Sequence, residues 1–329
     1  MYLCREIKIY LKRMKILAND GISELGKRQL EAHGFEVLTI KVAQNQLVNY
    51  INEHQIPILL VRSSTEVRKE LIEACPSLKL IGRGGVGMDN IDVEEAEKRN
   101  IHVINTPEAS SNAVAELVFA HLLSGVRFLH DANRNMPLDG DTQFNQLKKN
   151  YAKGSELRGK TLGIIGFGRI GKAVAKMGIA LGMRVLACDL FVKNTNIELS
   201  FFDGTSVSFQ IDMVSKEEVL KNSDFITVHT PAQKEYIIDE KEIEMMKEGV
   251  AILNLARGGV ISEVALFNAL ESGKVSFAGL DVFENEPTPS IQILMHPDIS
   301  LTPHIGAATQ EAQDRISLEL ASLIIEKMK

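Results

Sequence analysis

The sequence predicts an α/β chain of two doubly wound parallel-sheet domains with a cleft between them. Short apolar strand-like runs alternate with amphipathic helical stretches from one end to the other, and that repetition marks a parallel sheet covered on both faces. Runs such as 162–165 and 252–253 lack polar alternation, as strands buried on both sides do. The pattern also starts twice, near residue 15 and again past residue 160, and 329 residues suit two domains of ordinary size.

In the first series, strands are expected at 15–18, 36–40, 58–61, 78–82 and 102–105, with helices at 24–33 and 93–99 among the connections. In the second they are expected at 161–165, 184–188, 225–229, 251–255, 277–282 and 300–302. Between the series, residues 112–127 are apolar at Val114, Leu117, Val118, His121, Leu122, Gly125 and Val126, the spacing of one long helix. A polar stretch without a strand follows at 131–154. Residues 310–328 are helical again, with Ile316, Leu320, Leu323 and Ile324 on one side, and this closing helix is free to return to the first domain. The expected division is 1–105 with 301–329 as one domain and 106–300 as the other. Within the unusually long segment 191–214, Phe201 to Phe209 read as a hairpin turning at Asp203-Gly204. Residues 1–13 are expected to be an extension before a start at Met14.

Composition excludes several classes. With 45% hydrophobic residues the chain can fill its own cores, so no disulfide or metal is needed. The net charge of −6 and the absence of a basic face predict no nucleic-acid partner. Cys4, Cys75 and Cys188 are too scattered for a disulfide framework or a zinc cluster. No run reaches the roughly 18 apolar residues of a membrane span, and no leader is evident. A reduced, cytoplasmic setting is expected.

Gly166-Phe167-Gly168-Arg169-Ile170-Gly171 directly follows the strand 161–165 and opens a helix. In that setting the first glycine permits the turn, the second admits a pyrophosphate to the backbone, and the third lets helix and strand pack closely. Unpaired N–H groups at the helix start then face the phosphates. The next strand ends in Asp189, 18 residues beyond Gly171, where a ribose-binding acid belongs. The domain is therefore expected to be Rossmann-like. Lys172 also completes a G-x4-G-K spacing, but Ala173 has no hydroxyl for Mg²⁺, which excludes a triphosphate loop. A carboxylate at 189 favours NAD over NADP, with Lys193 the only nearby cation.

Ligands of open α/β sheets bind beyond the carboxyl ends of the strands. At those ends stand Arg62, Arg83, Asn105, Thr230, Arg257, Asp281 and His304. Polar residues at so many strand exits, each after an apolar run, are not explained by packing.

These segments resemble the D-2-hydroxyacid dehydrogenase family nearly end to end. The resemblance rests on Arg62-Ser-Ser, on Gly82-Arg-Gly-Gly-Val-Gly-Met-Asp-Asn-Ile-Asp92, on Asn105-Thr-Pro107, on Asn112 with Ala115-Glu116, and on the glycine turn. It continues through His229-Thr-Pro231, Asn254-Leu-Ala-Arg-Gly-Gly259, the stretch from Gly279 to Pro287, and Thr302-Pro-His-Ile-Gly-Ala307. Within the family, the Val61-Arg-Ser-Ser and Gly-Arg-Gly-Gly-Val-Gly segments are most similar to the branch acting on D-3-phosphoglycerate, the first step of serine biosynthesis.

The resemblance implies a catalytic set of Arg257, Glu286 and His304. Imidazole can take and return a proton near neutral pH, Glu286 would hold it, and the Arg257 fork suits a carboxylate. It implies cofactor contacts from Thr230, Leu255, Ala256, Arg257, His304, Gly306 and Ala307, and from Asp281 to the nicotinamide carboxamide. A substrate phosphate would meet Arg62 and Arg83, with Gly84, Gly85, Val86 and Gly87 adding N–H donors and Asn105 nearby. Lys149 is expected to reach the site of a neighbouring subunit in a homodimer or larger assembly joined through the NAD domain. Glu284, two residues from Glu286, is the competing acid. Only 25 residues follow His304, so no regulatory domain after it and no feedback inhibition by serine are expected. Two alternatives stay open: a glyoxylate, hydroxypyruvate or lactate-type reductase of the family, and a dinucleotide-sensing protein like its transcriptional corepressors.

Overall fold

The computed structural model describes residues 13–328. Cys4 and nearly all of the expected extension lie outside them. The chain divides into two compact units, one running to Ser110 and resuming at Gln310, the other Ser111–Thr309.

The first unit is built on five parallel strands: β1 Met14–Ala18, β2 Phe35–Leu38, β3 Ile58–Val61, β4 Leu80–Arg83 and β5 His102–Asn105. Their order is β2-β1-β3-β4-β5. The chain leaves β1 first to one side and then to the other, which opens a crevice at the carboxyl ends of β1 and β3. One face of the sheet buries Leu17, Leu59, Val61 and Ile81 beneath helices that include Leu47–His54. The other buries Ile16, Ile58, Leu60 and Leu80 with Ile316, Leu320 and Ile324 of the closing helix Gln310–Lys327. That helix returns to the first unit, where Ser317 Oγ accepts the Ser23 N–H at 2.9 Å. β2 stops at Leu38, short of the expected Ile40, which is 49% exposed past the end of this edge strand.

The second unit holds β6 Thr161–Ile165, β7 Arg184–Cys188, β8 Asn194–Ser200, β9 Ser206–Asp212, β10 Phe225–Val228, β11 Val250–Asn254, β12 Val275–Leu280 and β13 Ile299–Leu301. Six form a parallel sheet in the order β13-β12-β11-β10-β6-β7, so the crevice here opens at the ends of β6 and β10. The expected long helix is Ser111–Val126. It lies close enough that a Cβ on Gly279 of β12 would sit 2.8 Å from the His121 Cβ. Residues 131–154 hold no strand and instead fold largely as the helices Leu129–Asp139 and Phe144–Asn150.

The hairpin is longer than Phe201 to Phe209. Its antiparallel strands β8 and β9 pair from Asn194↔Asp212 to Ser200↔Ser206, and Phe201 and Phe202 lie in the turn. Asp203 fixes that turn by accepting from the Thr205 N–H and hydroxyl, with Gly204 at φ +84°. The return between units falls after Thr309 rather than after residue 300. β13 pairs with β12, and the Asp281 carboxylate binds the N–H groups of Ile305 and Gly306, which ties 299–306 to the second unit.

A Cβ on Gly26 would lie 2.6 Å from the Ser317 Cβ and 2.7 Å from its carbonyl oxygen. Gly26→Val is therefore expected to wedge the closing helix off the first unit, costing about 1–3 kcal/mol. Urea unfolding measures it; an unchanged midpoint would show that the helix contact is dispensable.

Candidate active site

The glycine turn follows β6 as expected. Gly166 has φ +92°, and a Cβ there would sit 2.5 Å from the His229 carbonyl oxygen, so the position admits only glycine. A Cβ on Gly171 would meet the Gly166 carbonyl at 2.3 Å. Gly168 faces open space and begins the helix Arg169–Ala180 with no side-chain cap, leaving first-turn N–H groups for a ligand. Arg169 is exposed there and Ile170 half-buried.

Asp189 ends at this turn. Its carboxylate accepts from Phe167 N at 2.7 Å, Phe191 N at 2.8 Å and Val192 N at 3.1 Å. Burial pushes the group up, but those backbone donors outweigh it and hold Asp189 below the usual carboxylate range. Thr230, on the loop after β10, has a buried hydroxyl with no hydrogen-bond partner among the described residues, and its Cγ2 borders Gly166. An anionic acid, an uncapped helix start and an orphaned hydroxyl around a backbone cradle fit a dinucleotide. Asp189 would hold the ribose, the turn the pyrophosphate, and Thr230 would lie beside them.

The acid–base pair forms in the same unit. His304 Nδ1 lies 2.8 Å from Glu286 Oε2, and Glu286 Oε1 accepts the Phe283 N–H at 3.0 Å. An ionised carboxylate only accepts, so Nδ1 carries a proton, and in the neutral ring Nε2 is the basic nitrogen. Glu284 is committed elsewhere. Glu284 Oε1 accepts from Glu263 N at 2.9 Å, and Glu263 Oε1 from Glu284 N at 2.8 Å. Burial pushes the Glu263 carboxyl up.

This reciprocal clamp joins the loop after β12 to the loop after β11, which carries Arg257. The two loops touch, since a Cβ on Gly258 would fall 1.8 Å from the Phe283 carbonyl oxygen. Asn254 shapes the Arg257 turn by accepting from Ala256 N at 3.1 Å and donating to the Arg257 carbonyl at 2.9 Å. Leu255 and Ala256 are buried within it.

Asp281 is only 1% exposed. Its Oδ1 accepts from the Thr302 hydroxyl at 2.6 Å and Ile305 N at 2.8 Å, and its Oδ2 from Gly306 N at 2.8 Å. The carboxylate thus grips the turn that carries His304, itself at φ +54°. Ala307 follows half-buried.

In the first unit, Arg62 and Arg83 stand at the exits of neighbouring strands, Val61 pairing with Arg83. Gly84 lies against the Arg62 stem, and the Arg83 guanidinium occupies the space where Gly85 has no side chain. Val86 is 37% exposed and Gly87 half-buried. Asn105 is spent on this loop, donating to the Val86 carbonyl at 2.7 Å. Burial draws the Arg62 pKa down while Asp20 raises it. Lys149 is exposed near the end of the helix Phe144–Asn150 in the other unit.

Sequence reasoning missed Asp20, Asn90, Asn254, Glu263 and Thr302. Asp20 accepts the Arg62 N–H at 2.6 Å and the Ser64 and Thr65 hydroxyls at 2.5 and 2.7 Å, and it pairs with Lys41. Asn90 donates to the Arg62 carbonyl at 2.7 Å. Asp20 lies two residues past β1, against one for Arg62 past β3, so a strand-exit criterion widened by one residue would have found it.

A glycine cradle and an ordered His–Glu pair in one unit fit a dinucleotide-dependent oxidoreductase. Residues 119–306, more than half of the chain, match the family model for the D-isomer specific 2-hydroxyacid dehydrogenase, NAD binding domain. The chain is 40% identical to a hydroxypyruvate reductase of Thermotoga maritima over 97% of its own length and 99% of that protein. It is 37% identical to a D-3-phosphoglycerate dehydrogenase of Bacillus subtilis over 96% of its own length, but spans only 57% of that longer protein. Among solved structures, the D-lactate dehydrogenase of Aquifex aeolicus complexed with NAD and lactic acid matches with a TM-score of 0.71 at 29% identity, covering 95% of each chain. The chain belongs to the D-isomer specific 2-hydroxyacid dehydrogenase family, and its cofactor is NAD.

Asp189→Ala is expected to raise the NADPH/NADH preference roughly tenfold or more by removing the charge that repels a 2′-phosphate. Fluorescence titration with both cofactors reads it, and an unchanged ratio would remove Asp189 from the ribose site. His229 supplies a pH test. Burial pulls its imidazole from 6.5 to about 3, and its Nδ1 is buried without a partner. The unfolded chain therefore binds the extra proton between these values, so stability present above pH 6.5 is lost as pH falls. The slope is up to about 1.4 kcal/mol per pH unit. Urea titrations should show a flatter dependence for His229→Asn.

Proposed function

We propose that this chain oxidises D-3-phosphoglycerate to 3-phosphohydroxypyruvate with NAD, the first step of serine biosynthesis. The observation that carries this reading is the pair Arg62 and Arg83 on neighbouring strand exits beside a glycine loop, two cations of the kind that suits a phosphate. A small unphosphorylated acid needs no such pair. A second reading, hydroxypyruvate reduction, is favoured by the relative of that name, which matches this chain over nearly both full lengths.

The chemistry is the same in either case. Arg257 binds the substrate carboxylate through its planar fork. His304 Nε2 takes the hydroxyl proton, because its Nδ1–H is held by Glu286. Glu286 stabilises the imidazolium that forms and keeps the ring oriented. NAD, when bound, accepts the hydride from the substrate's secondary carbon. In the reverse direction His304 returns the proton to the forming alkoxide. Lys149 contributes a cation to a neighbouring subunit's substrate in a homo-oligomer.

NADH absorbance with 3-phosphohydroxypyruvate, hydroxypyruvate, glyoxylate and pyruvate separates the readings. Turnover is expected to be fastest with the first. Preference for hydroxypyruvate would favour the reductase, and no turnover at all would favour a dinucleotide-sensing protein. Replacing Arg62 and Arg83 together by Met is expected to raise KM for the phosphorylated substrate about 100-fold while changing that for hydroxypyruvate little. His304→Asn should lower kcat about 10²–10⁴-fold, whereas a fall below tenfold would assign the proton to another group.

A further inference from the structure

His121 lies on the inner side of the helix Ser111–Val126, 2% exposed, against the glycine of β12 that leaves room for it. Its Nδ1 is 2.8 Å from Ser300 Oγ and its Nε2 is 2.9 Å from Thr302 Oγ1. The Thr302 hydroxyl gives its one proton to Asp281 at 2.6 Å. It can therefore only accept from the imidazole, which fixes the proton on His121 Nε2. Nδ1 of the neutral ring then accepts from Ser300. Burial draws the His121 pKa down, with Asp281 opposing and His130 adding to the effect, so the neutral form is favoured.

We infer that His121 is a positioning residue for His304, acting through Thr302 and Asp281. Every bond between them has a determined direction: Ser300 to His121, His121 to Thr302, Thr302 to Asp281, and the N–H groups of Ile305 and Gly306 to the same carboxylate. The chain ends on the two residues after His304, and the Thr302 carbonyl also accepts the His304 N–H at 3.1 Å. His304 holds a left-handed φ of +54°, which a non-glycine residue keeps only where its surroundings impose it. Without His121, the Thr302 hydroxyl loses the donor that orients it, its bond to Asp281 is no longer held in one direction, and the turn relaxes. The effect falls more on the proton-transfer step than on dinucleotide affinity, because the glycine turn and Asp189 take no part in the chain of bonds, which reaches the expected cofactor contacts only at Asp281 and Gly306. An apolar residue of similar size at 121 would fill the space but break the sequence of donors.

This inference rests on His304 acting as acid and base, so the test includes a readout independent of turnover. His121→Leu and His121→Gln are compared with the parent for kcat, for NADH dissociation constant by fluorescence, and for hydrogen exchange of the backbone amides at 302–307. The Gln side-chain amide can donate where Nε2 does. His121→Leu is expected to lower kcat about 10–100-fold, to weaken NADH binding by a smaller factor than it lowers kcat, and to speed exchange at Ile305 and Gly306 about tenfold. His121→Gln should recover most of both losses. Thr302→Val combined with His121→Leu should be no slower than the worse single variant, since both break one chain of bonds.

Equal behaviour of the Leu and Gln variants, additive losses in the double variant, or unchanged exchange at 305–306 would each overturn the inference. If the parent turns over no 2-hydroxy or 2-oxo acid, the functional reading fails. The exchange data and their rescue by Gln still decide whether His121 holds the turn. Should His121→Leu fail to fold, Thr302→Val as the broken chain and His121→Gln as the intact one carry the same exchange comparison.

Discussion

The arrangement depends on one buried carboxylate. Asp281 receives the Thr302 hydroxyl and the N–H groups of Ile305 and Gly306, and these are charge-assisted bonds inside a poorly solvated site. Left-handed backbone at a non-glycine residue costs about 1–2 kcal/mol, less than two such bonds contribute. His304 is therefore held in a conformation that sequence-local forces would not choose, with its imidazole turned to Glu286. A neutral amide at 281 would keep the shape of the side chain. It would face at least one donor with another donor.

Around that carboxylate, the second unit uses one device repeatedly: a polar side chain near the sheet's carboxyl edge binds the backbone of a neighbouring loop. Asn254 does so for the Arg257 turn, Asp189 for the glycine turn, and Glu263 with Glu284 for the two loops carrying Arg257 and Glu286. The first unit repeats it with Asp20 and Asn90 around Arg62. Loops so fixed behave as extensions of the strands, which gives reactive groups the precision of regular structure.

The parts of this design that obey local rules were legible in the sequence. A strand buried on both faces is written as a continuous apolar run, a turn that only glycine can make is written as glycine, and the residue just past a strand is identified by its position. The seven residues at strand exits were singled out in this way, whereas the preference for Glu286 over Glu284 came from the family resemblance of the segment ending in Pro287. Bonds between residues far apart in the chain were not legible. His121 reads as one position on a buried helical stripe, yet it meets Ser300 and Thr302, 179 and 181 residues away. The Glu263–Glu284 clamp likewise exists only once two loops are brought side by side. The hairpin's extent was misjudged because β9 is exposed along most of its length, so the alternation that marks a half-buried strand is weak.

That hairpin has a consequence for how copies of this chain behave in concentrated solution. β7 ends the six-stranded sheet, and an unpaired rim of a flat parallel sheet is a template for another chain's strand. Here the Ala187 carbonyl is met by the Val214 N–H at 2.9 Å as the polypeptide comes back from the hairpin, and Ile197 seals the neighbouring gap at 1% exposure. Part of the rim is thus closed by the molecule's own backbone, and growth of fibrils by strand addition is obstructed there.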